Sequence, residues 1–261
     1  MTSAAFDTLL FARTGPVATI TLNRPQAANG MNDVLTRELA EVAEQVAGSD
    51  AKAVVLTGAG RFFCAGGDLK AMAASPAGPG AFVKGIADDL HRAISIFARM
   101  DAVLITAVNG VAAGAGFSLA VAGDLVLTSE AATFTMAYTK AGLSPDGSAS
   151  YYLPRLIGPH RTTELMLTNR TLSAAEALQW GLVNEVVPGD VGARATELAA
   201  QIATGAAQSS AAVKKLVLAS FDNDIESQMA LEADLISANA DGADGREGID
   251  AFLNKRAPKF A

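Results

Sequence analysis

The run Val103-Leu-Ile-Thr-Ala-Val108 leads directly into Asn109-Gly-Val-Ala-Ala-Gly-Ala-Gly-Phe117. An unbroken stretch of apolar and β-branched residues predicts a strand buried on both faces. The glycine-containing turn after it opens a short apolar helix, expected from Gly110–Gly116 through Val121. A similar arrangement lies upstream. Ala53-Val-Val-Leu-Thr57 ends at Gly58-Ala-Gly60, and Phe63-Cys-Ala-Gly-Gly-Asp-Leu69 follows. Open α/β folds bind ligands at turns placed at the carboxyl ends of buried strands. Two such strand–turn units assign the chain to the α/β class.

Outward from these units the same grammar continues. Leu9-Leu-Phe11 and Val17–Leu22 read as strands around the turn pair Gly15-Pro16. Asn32 or Asp33 caps a predicted helix to Ala47, with Val34, Leu35, Leu39, Val42 and Val46 at helical spacing. Ala71 to Gly80, rich in small residues with Pro76 and Pro79, is expected to be a mobile loop. An amphipathic helix from Ala81 to Ala98 follows. Leu125-Val-Leu127 and Thr133-Phe-Thr-Met136 complete the strands. Two extended pieces and then a helix, repeated, predict a spiral of ββα turns rather than a simple βαβ sheet. Beyond Pro159 the reading is wholly helical, with helices over 162–167, 173–180, 191–203, 211–219 and 225–239, a polar break over 241–246 and a last helix over 248–255. Ser173-Ala-Ala-Glu176 fits a capping box. The Ala-rich C-terminal helices carry apolar stripes suited to burial against another subunit. Residues 1–198 are assigned to the spiral core and 199–261 to the helical region.

Composition narrows the function. The chain has 261 residues, 50% of them hydrophobic, and a formal net charge of −7. Such an acidic balance disfavours nucleic acid, which is held by clustered Lys and Arg. One cysteine, Cys64, and two histidines, His91 and His160, leave no cysteine-rich or histidine-rich metal centre to expect. No stretch reaches the roughly 18 uninterrupted apolar residues of a membrane span. The N-terminus lacks the basic flank and cleavage site of a secretory signal. A cytoplasmic protein handling a small molecule is the expectation.

The two turns are the first chemical feature. Glycine-containing turns present backbone N–H groups outward. A converging pair can stabilise an oxygen that gains negative charge, each donor contributing about 2.7–4 kcal/mol in a transition state. Neither turn is a phosphate-binding Walker loop, for no Gly-Lys-Ser/Thr follows. Gly114-Ala-Gly-Phe-Ser-Leu119 departs from the dinucleotide fingerprint at Leu119. No Gly-x-Ser-x-Gly elbow supports Ser118, Ser148 or Ser150 as a nucleophile, and these read as packing and capping residues. Cys64 reads as a small core side chain.

Seven pieces in order carry a resemblance. They are Thr21-Leu-Asn-Arg-Pro25, Val55-Leu-Thr-Gly58 with Phe63-Cys-Ala-Gly-Gly-Asp68, Ala107-Val-Asn-Gly-Val-Ala-Ala-Gly114, Leu143-Ser-Pro-Asp-Gly147, Leu153-Pro-Arg-Leu156, Glu176-Ala-Leu-Gln-Trp-Gly-Leu182 and Phe252-Leu-Asn-Lys-Arg256. Over essentially its whole length the chain resembles the enoyl-CoA hydratase/isomerase family, the crotonases. The resemblance implies a crotonase-type ββα spiral with a C-terminal helical trimerisation region, assembling as a homotrimer or as two trimers in a hexamer. It implies an acyl-CoA substrate and no cofactor beyond its coenzyme A moiety. The N–H groups of Gly67 and Ala115 would form the oxyanion hole for the thioester carbonyl. Residues Arg24, Gln26, Ala28, Gly30, Ala65, Asp68, Leu69 and Lys70 would cradle the coenzyme, while Phe252 and Lys255 would reach that of a neighbouring subunit.

Departures from the family pattern select the chemistry. Family hydratases use two glutamates to place water; this chain has Ser118 and Tyr138 at those positions. A phenol with a pKa near 10 is a poor substitute for a carboxylate base. Asp146 instead matches the acid/base of the phenylacetate-pathway enoyl-CoA isomerases. His91, with Asp146 and the stretch Arg161–Thr171, is similar to the pattern of 4-chlorobenzoyl-CoA dehalogenases. The favoured activity is therefore enoyl-CoA isomerisation, with Asp146 moving the proton, Gly67 and Ala115 holding the enolate oxygen, and Tyr138 and His91 shaping the pocket or tuning Asp146. Two alternatives stand beside it: a hydratase, hydrolase or dehalogenase-like enzyme in which Asp146 and His91 place water, and a non-catalytic acyl-CoA-binding subunit.

Overall fold

The structure is a computed structural model that describes residues 6–260. A hairpin opens it, β1 (Leu9–Thr14) antiparallel to β2 (Val17–Leu22), with Gly15 at φ +57° in the turn. After α1 (Asp33–Ala47) come β3 (Ala53–Gly58), β4 (Phe62–Cys64), α2 (Leu69–Ala74) and α3 (Pro79–Arg99). The next turn of the spiral holds β5 (Val103–Val108), β6 (Val111–Ala113) and α4 (Ala115–Ala120). A third holds β7 (Leu125–Ser129), β8 (Thr133–Thr135), α5 (Ala149–Ile157) and α6 (Pro159–Thr168). Each turn thus gives one long strand to a six-stranded sheet, β1-β2-β3-β5-β7-β10, and one short strand to a four-stranded sheet, β4-β6-β8-β9. Here β9 is Leu172–Ser173 and β10 is Glu185–Val187, with α7 (Ala174–Gln179) between them. The ββα spiral expected from the sequence is the architecture observed.

The central strands are apolar on both faces because both are covered. In β3, Val54 and Leu56 join the main core under α1 and α3, whereas Ala53 and Val55 face α8 (Val191–Ala203) with Val103, Ile105 and Ala107 of β5. Strand alternation thus divides one apolar run between two cores. Cys64 belongs to the main core: its thiol donates to the Asn29 carbonyl (3.1 Å), and burial pushes its pKa up to about 12. The native protein is expected to resist a thiol reagent at pH 8 and to titrate one thiol after unfolding. A rapid native reaction would show that the β4 end opens.

Several sequence expectations are corrected. The supposed loop at 71–80 contains α2 and the start of α3. Asp68 caps α2 by accepting from the Lys70 and Ala71 N–H groups, and Pro79 begins α3 where its missing N–H costs nothing. Val111–Ala113 is a strand before α4, so the helix begins at Ala115. Helix α5 precedes Pro159 despite its internal Pro154. The region beyond Pro159 is not wholly helical, because β9 and β10 complete the two sheets. The Ser173–Glu176 capping box is present.

Three helices close the chain: α9 (Ala207–Ala219), α10 (Ile225–Asp241) and α11 (Ala243–Leu253). The predicted polar break is only the Gly242 junction, and α9 begins four residues earlier than its apolar spacing indicates. The boundary drawn between 198 and 199 falls inside α8. Lys214 of α9 ties this region to the core. Its Nζ donates to the Phe97 and Ala102 carbonyls (3.0 and 2.6 Å) and pairs with Asp124 Oδ2 at 2.7 Å. Burial drives the Asp124 carboxyl up and the Lys214 ammonium down, against their mutual attraction. Lys214→Ala leaves Asp124 without its counter-charge and is expected to destabilise the fold by about 3 kcal/mol. Urea unfolding measures this, and a loss under 1 kcal/mol would contradict it.

Candidate active site

Strands β4 and β6 are parallel neighbours, with Phe62 opposite Val111 and Cys64 opposite Ala112, so their carboxyl ends emerge side by side. The two glycine turns consequently touch. Gly66 sits at φ +95°, and a Cβ there would lie 2.8 Å from the Ala113 carbonyl and 3.4 Å from the Ala115 nitrogen. Gly116 is equally confined: a Cβ would fall 2.1 Å from the Cys64 carbonyl. Close backbone approach is why these positions are glycine.

That approach leaves two amides available. Met31 bridges Gly67 in parallel fashion: its N–H donates to Gly66 O and its carbonyl accepts from Asp68 N–H, both at 2.8 Å. In extended backbone the N–H of Gly67 itself then points away from Met31. Ala115 is the first residue of α4, so its N–H has no acceptor within the helix. Among the described residues neither amide donates a hydrogen bond. Both residues line one cavity of about 410 Å³. Its walls are mostly apolar: Leu69 and Met72 of α2, Val83 and Ile86 of α3, and Leu143 from the loop before α5.

Tyr138 and Asp146 complete the wall. Tyr138 follows β8 and Asp146 precedes α5, and both face the cavity that Gly67 and Ala115 line. The phenol donates to Asp146 Oδ1 at 2.6 Å and lies 3.0 Å from Ser118 Oγ. Burial, the Asp146 charge and that hydrogen bond all raise the Tyr138 pKa far above its usual value. Tyr138 is therefore a fixed proton donor to the carboxylate, not a base. Asp146 is the one carboxylate lining the cavity among the described residues. His91 lies outside the lining on α3, with Nε2 3.1 Å from the Gly147 nitrogen and 3.9 Å from Asp146 Oδ2.

The residues expected to hold the coenzyme fall into three groups. Ala65 and Leu69 line the cavity. Arg24, Ala28, Gly30 and Asp68 build its rim through one another. Arg24 donates to Gly30 O and to Asp68 Oδ2 (3.0 Å for the latter), while Ala28, at φ +52°, accepts from the Ala65 N–H. Burial works to raise the Asp68 pKa, yet the Ala71 N–H, Arg24 and the Lys70 N–H together hold it below the usual carboxylate range. Gln26 and Lys70 are exposed beside this rim. Phe252 and Lys255 line no part of their own chain's cavity and are exposed on and just after α11, Phe252 at 80%.

Ser118, expected as a packing and capping residue at the position of a family glutamate, is hydrogen-bonded to Tyr138. One organising residue escapes the sequence reading. Asn29 is fully buried. Its Oδ1 accepts the Arg24 N–H and its Nδ2 donates to the carbonyls of Ala59, Phe62 and Phe63, stitching the 24–30 turn to β4. The Asn29-Gly30 pair, a turn signal, was the available hint.

The spiral, the paired amides and the apolar cavity define a protein of the enoyl-CoA hydratase/isomerase family: that family's profile matches residues 12–261, and the chain belongs to it. It is 40% identical over 254 residues to 1,2-epoxyphenylacetyl-CoA isomerase of Escherichia coli K12, with 94% of each chain covered. It is 34% identical over 248 residues to 4-chlorobenzoyl coenzyme A dehalogenase-1 of an Arthrobacter species, covering 93% of this chain and 89% of that one. The crystal structure of an enoyl-CoA hydratase from Polaromonas sp. JS666 superposes with a TM-score of 0.92 at 33% identity, over 97% of this chain and 99% of the other. Among the described residues no helix is long and apolar enough to cross a membrane, and no cluster of three His, Cys, Asp or Glu is placed to hold a metal.

Proposed function

We propose that this protein isomerises coenzyme A thioesters, shifting the double bond of an enoyl-CoA from the 3,4 to the 2,3 position. The observation carrying the reading is that, among the described residues, a single carboxylate, Asp146, shares an apolar cavity with two unpaired amides. With the thioester oxygen on the Gly67 and Ala115 N–H groups, Asp146 takes a proton from C2. The C–H electrons move into a dienolate whose charge rests on that oxygen. The same proton returns to C4 as the electrons fall back, and the C2–C3 double bond forms. Atoms and charge balance with no redox partner, so the reaction draws on no cofactor besides the substrate's own coenzyme A.

Hydration needs a second group to activate water. Among the described residues Asp146 has no carboxylate partner in the cavity wall, and the Nε2 lone pair of His91 already accepts the Gly147 N–H. The 40% identity to an isomerase named for an epoxide thioester supports a second reading, in which Asp146 takes the C2 proton, the C–H electrons form a double bond to the neighbouring carbon as its epoxide C–O bond breaks, and the proton passes to the released oxygen. The rim around Arg24, Ala28 and Asp68 is proposed to hold the coenzyme. Exposed Val213, Val217, Met229, Ile236, Phe252 and Leu253 support assembly through the C-terminal helices, as a trimer or hexamer.

The test is a panel of 3-enoyl, 2-enoyl and aryl-epoxide thioesters turned over in deuterated, oxygen-18-labelled water. A 2-enoyl product without solvent oxygen is expected from the 3-enoyl substrate. Label in a hydroxyl group would replace isomerisation by hydration, and turnover of the epoxide alone would favour the second reading.

A further inference from the structure

His91 is half-exposed, at 49% of its side chain, and reads as a surface residue of α3, yet it grips the turn that carries Asp146. That turn has one backbone bond of its own, from the Ala149 N–H to the Asp146 carbonyl at 3.3 Å. Gly147 and Ser148 are both left-handed, at φ +61° and +72°, and Ser148 pays a steric cost that glycine would not. The Ser148 hydroxyl is buried without a hydrogen-bond partner among the described residues, so it gives the turn no support. The Asp146 side chain and the Gly147 peptide are held from outside. Tyr138 bonds Asp146 Oδ1 from one side, and His91 takes the Gly147 N–H from the other. Packing fixes the separation: a Cβ at Gly147 would come within 2.9 Å of Ser118 Cβ and 3.2 Å of Leu90 Cδ2, and Leu90 precedes His91 on α3.

We infer that His91 is a positioning residue for Asp146: its Nε2 accepts the Gly147 N–H and so fixes the peptide that follows the carboxylate. An imidazole nitrogen has one in-plane lone pair. The nitrogen that accepts the Gly147 N–H therefore carries no proton to give Asp146 Oδ2 and has no second lone pair to take a proton from water. This assigns His91 a task different from the water placement considered from the sequence. The carboxylate is then held at two points, by its own Oδ1 through Tyr138 and by the next peptide through His91. Such double fixation keeps the second oxygen, Oδ2, in one place for proton transfer.

The inference rests on the proposed role of Asp146, and three variants separate the two ideas. Kinetic constants are measured with the thioester that the wild-type enzyme turns over fastest in the panel. His91→Leu, which offers no acceptor, is expected to lower kcat about 10- to 100-fold with KM changed less than about threefold, as for other supporting-shell losses. His91→Gln can place an amide oxygen where Nε2 stands, and is expected to recover most of that loss. Thermal melting of both variants identifies any unfolding. If His91→Gln falls as far as His91→Leu while remaining folded, the imidazole itself handles a proton and the inference is overturned. Wild-type kcat in His91→Leu overturns it equally. Asp146→Asn reports on the underlying reading: undiminished turnover there would remove the proposed function, whatever the His91 variants show.

Discussion

Asp146→Asn is expected to lower kcat about a thousandfold, while KM changes little and the fold is retained. The side chains are nearly isosteric, and an Asn Oδ1 can still accept the Tyr138 hydroxyl that lies 2.6 Å from the carboxylate. What disappears is the ability to take a proton from carbon. The cavity offers no replacement: burial, the largest influence raising the Tyr138 pKa, persists in the variant and keeps the phenol protonated, and no other carboxylate lines the wall among the described residues. Loss of C2 proton exchange in deuterated water should accompany the loss of turnover. Exchange continuing within tenfold of the wild-type rate would mean that another base does the work.

Ala115→Pro is expected to cost between about 10² and 10³ in kcat, the range measured when one oxyanion donor is removed. This substitution deletes one N–H at a position where proline is compatible with a helix. Ala115 is the first residue of α4, its N–H serves no acceptor among the described residues, and the preceding residue is the conformationally free Gly114. Ala115→Gly is the matched control, since it keeps the N–H and should retain most activity. The melting temperature should move by only a few degrees in the proline variant. Turnover near the wild-type level in a folded Ala115→Pro enzyme would show that the thioester oxygen rests elsewhere, and would leave the enolate without its electron sink.

These two experiments address a site whose halves were unequally legible. The main-chain half was readable, because glycine-containing turns at the ends of buried strands announce where backbone must approach backbone. Gly66, Gly67, Gly114 and Ala115 therefore stand where the sequence led us to expect them. The buried strands and the longer helices were readable for the same local reason: periodicity and turn chemistry act over a few residues. Several short elements were not. Helix α2 has six residues, and β9 and β10 have two and three, too few for any period to register.

The polar half of the site belongs to the tertiary structure. The family resemblance put Ser118, Tyr138, His91 and Asp146 near one site, but nothing in the chain announces that the Ser118 hydroxyl bonds the Tyr138 phenol twenty residues on, or that His91 meets the Gly147 N–H fifty-six residues later. The anchoring of the C-terminal helices by Lys214 on Asp124 was equally silent. The sequence by itself determined the α/β spiral and the glycine turns, and through its family resemblance it singled out Asp146. Only the packing of α3, α4 and the 138–148 loop decided which side chains hold that acid, because a hydrogen bond depends on where atoms lie in space and not on their separation along the chain.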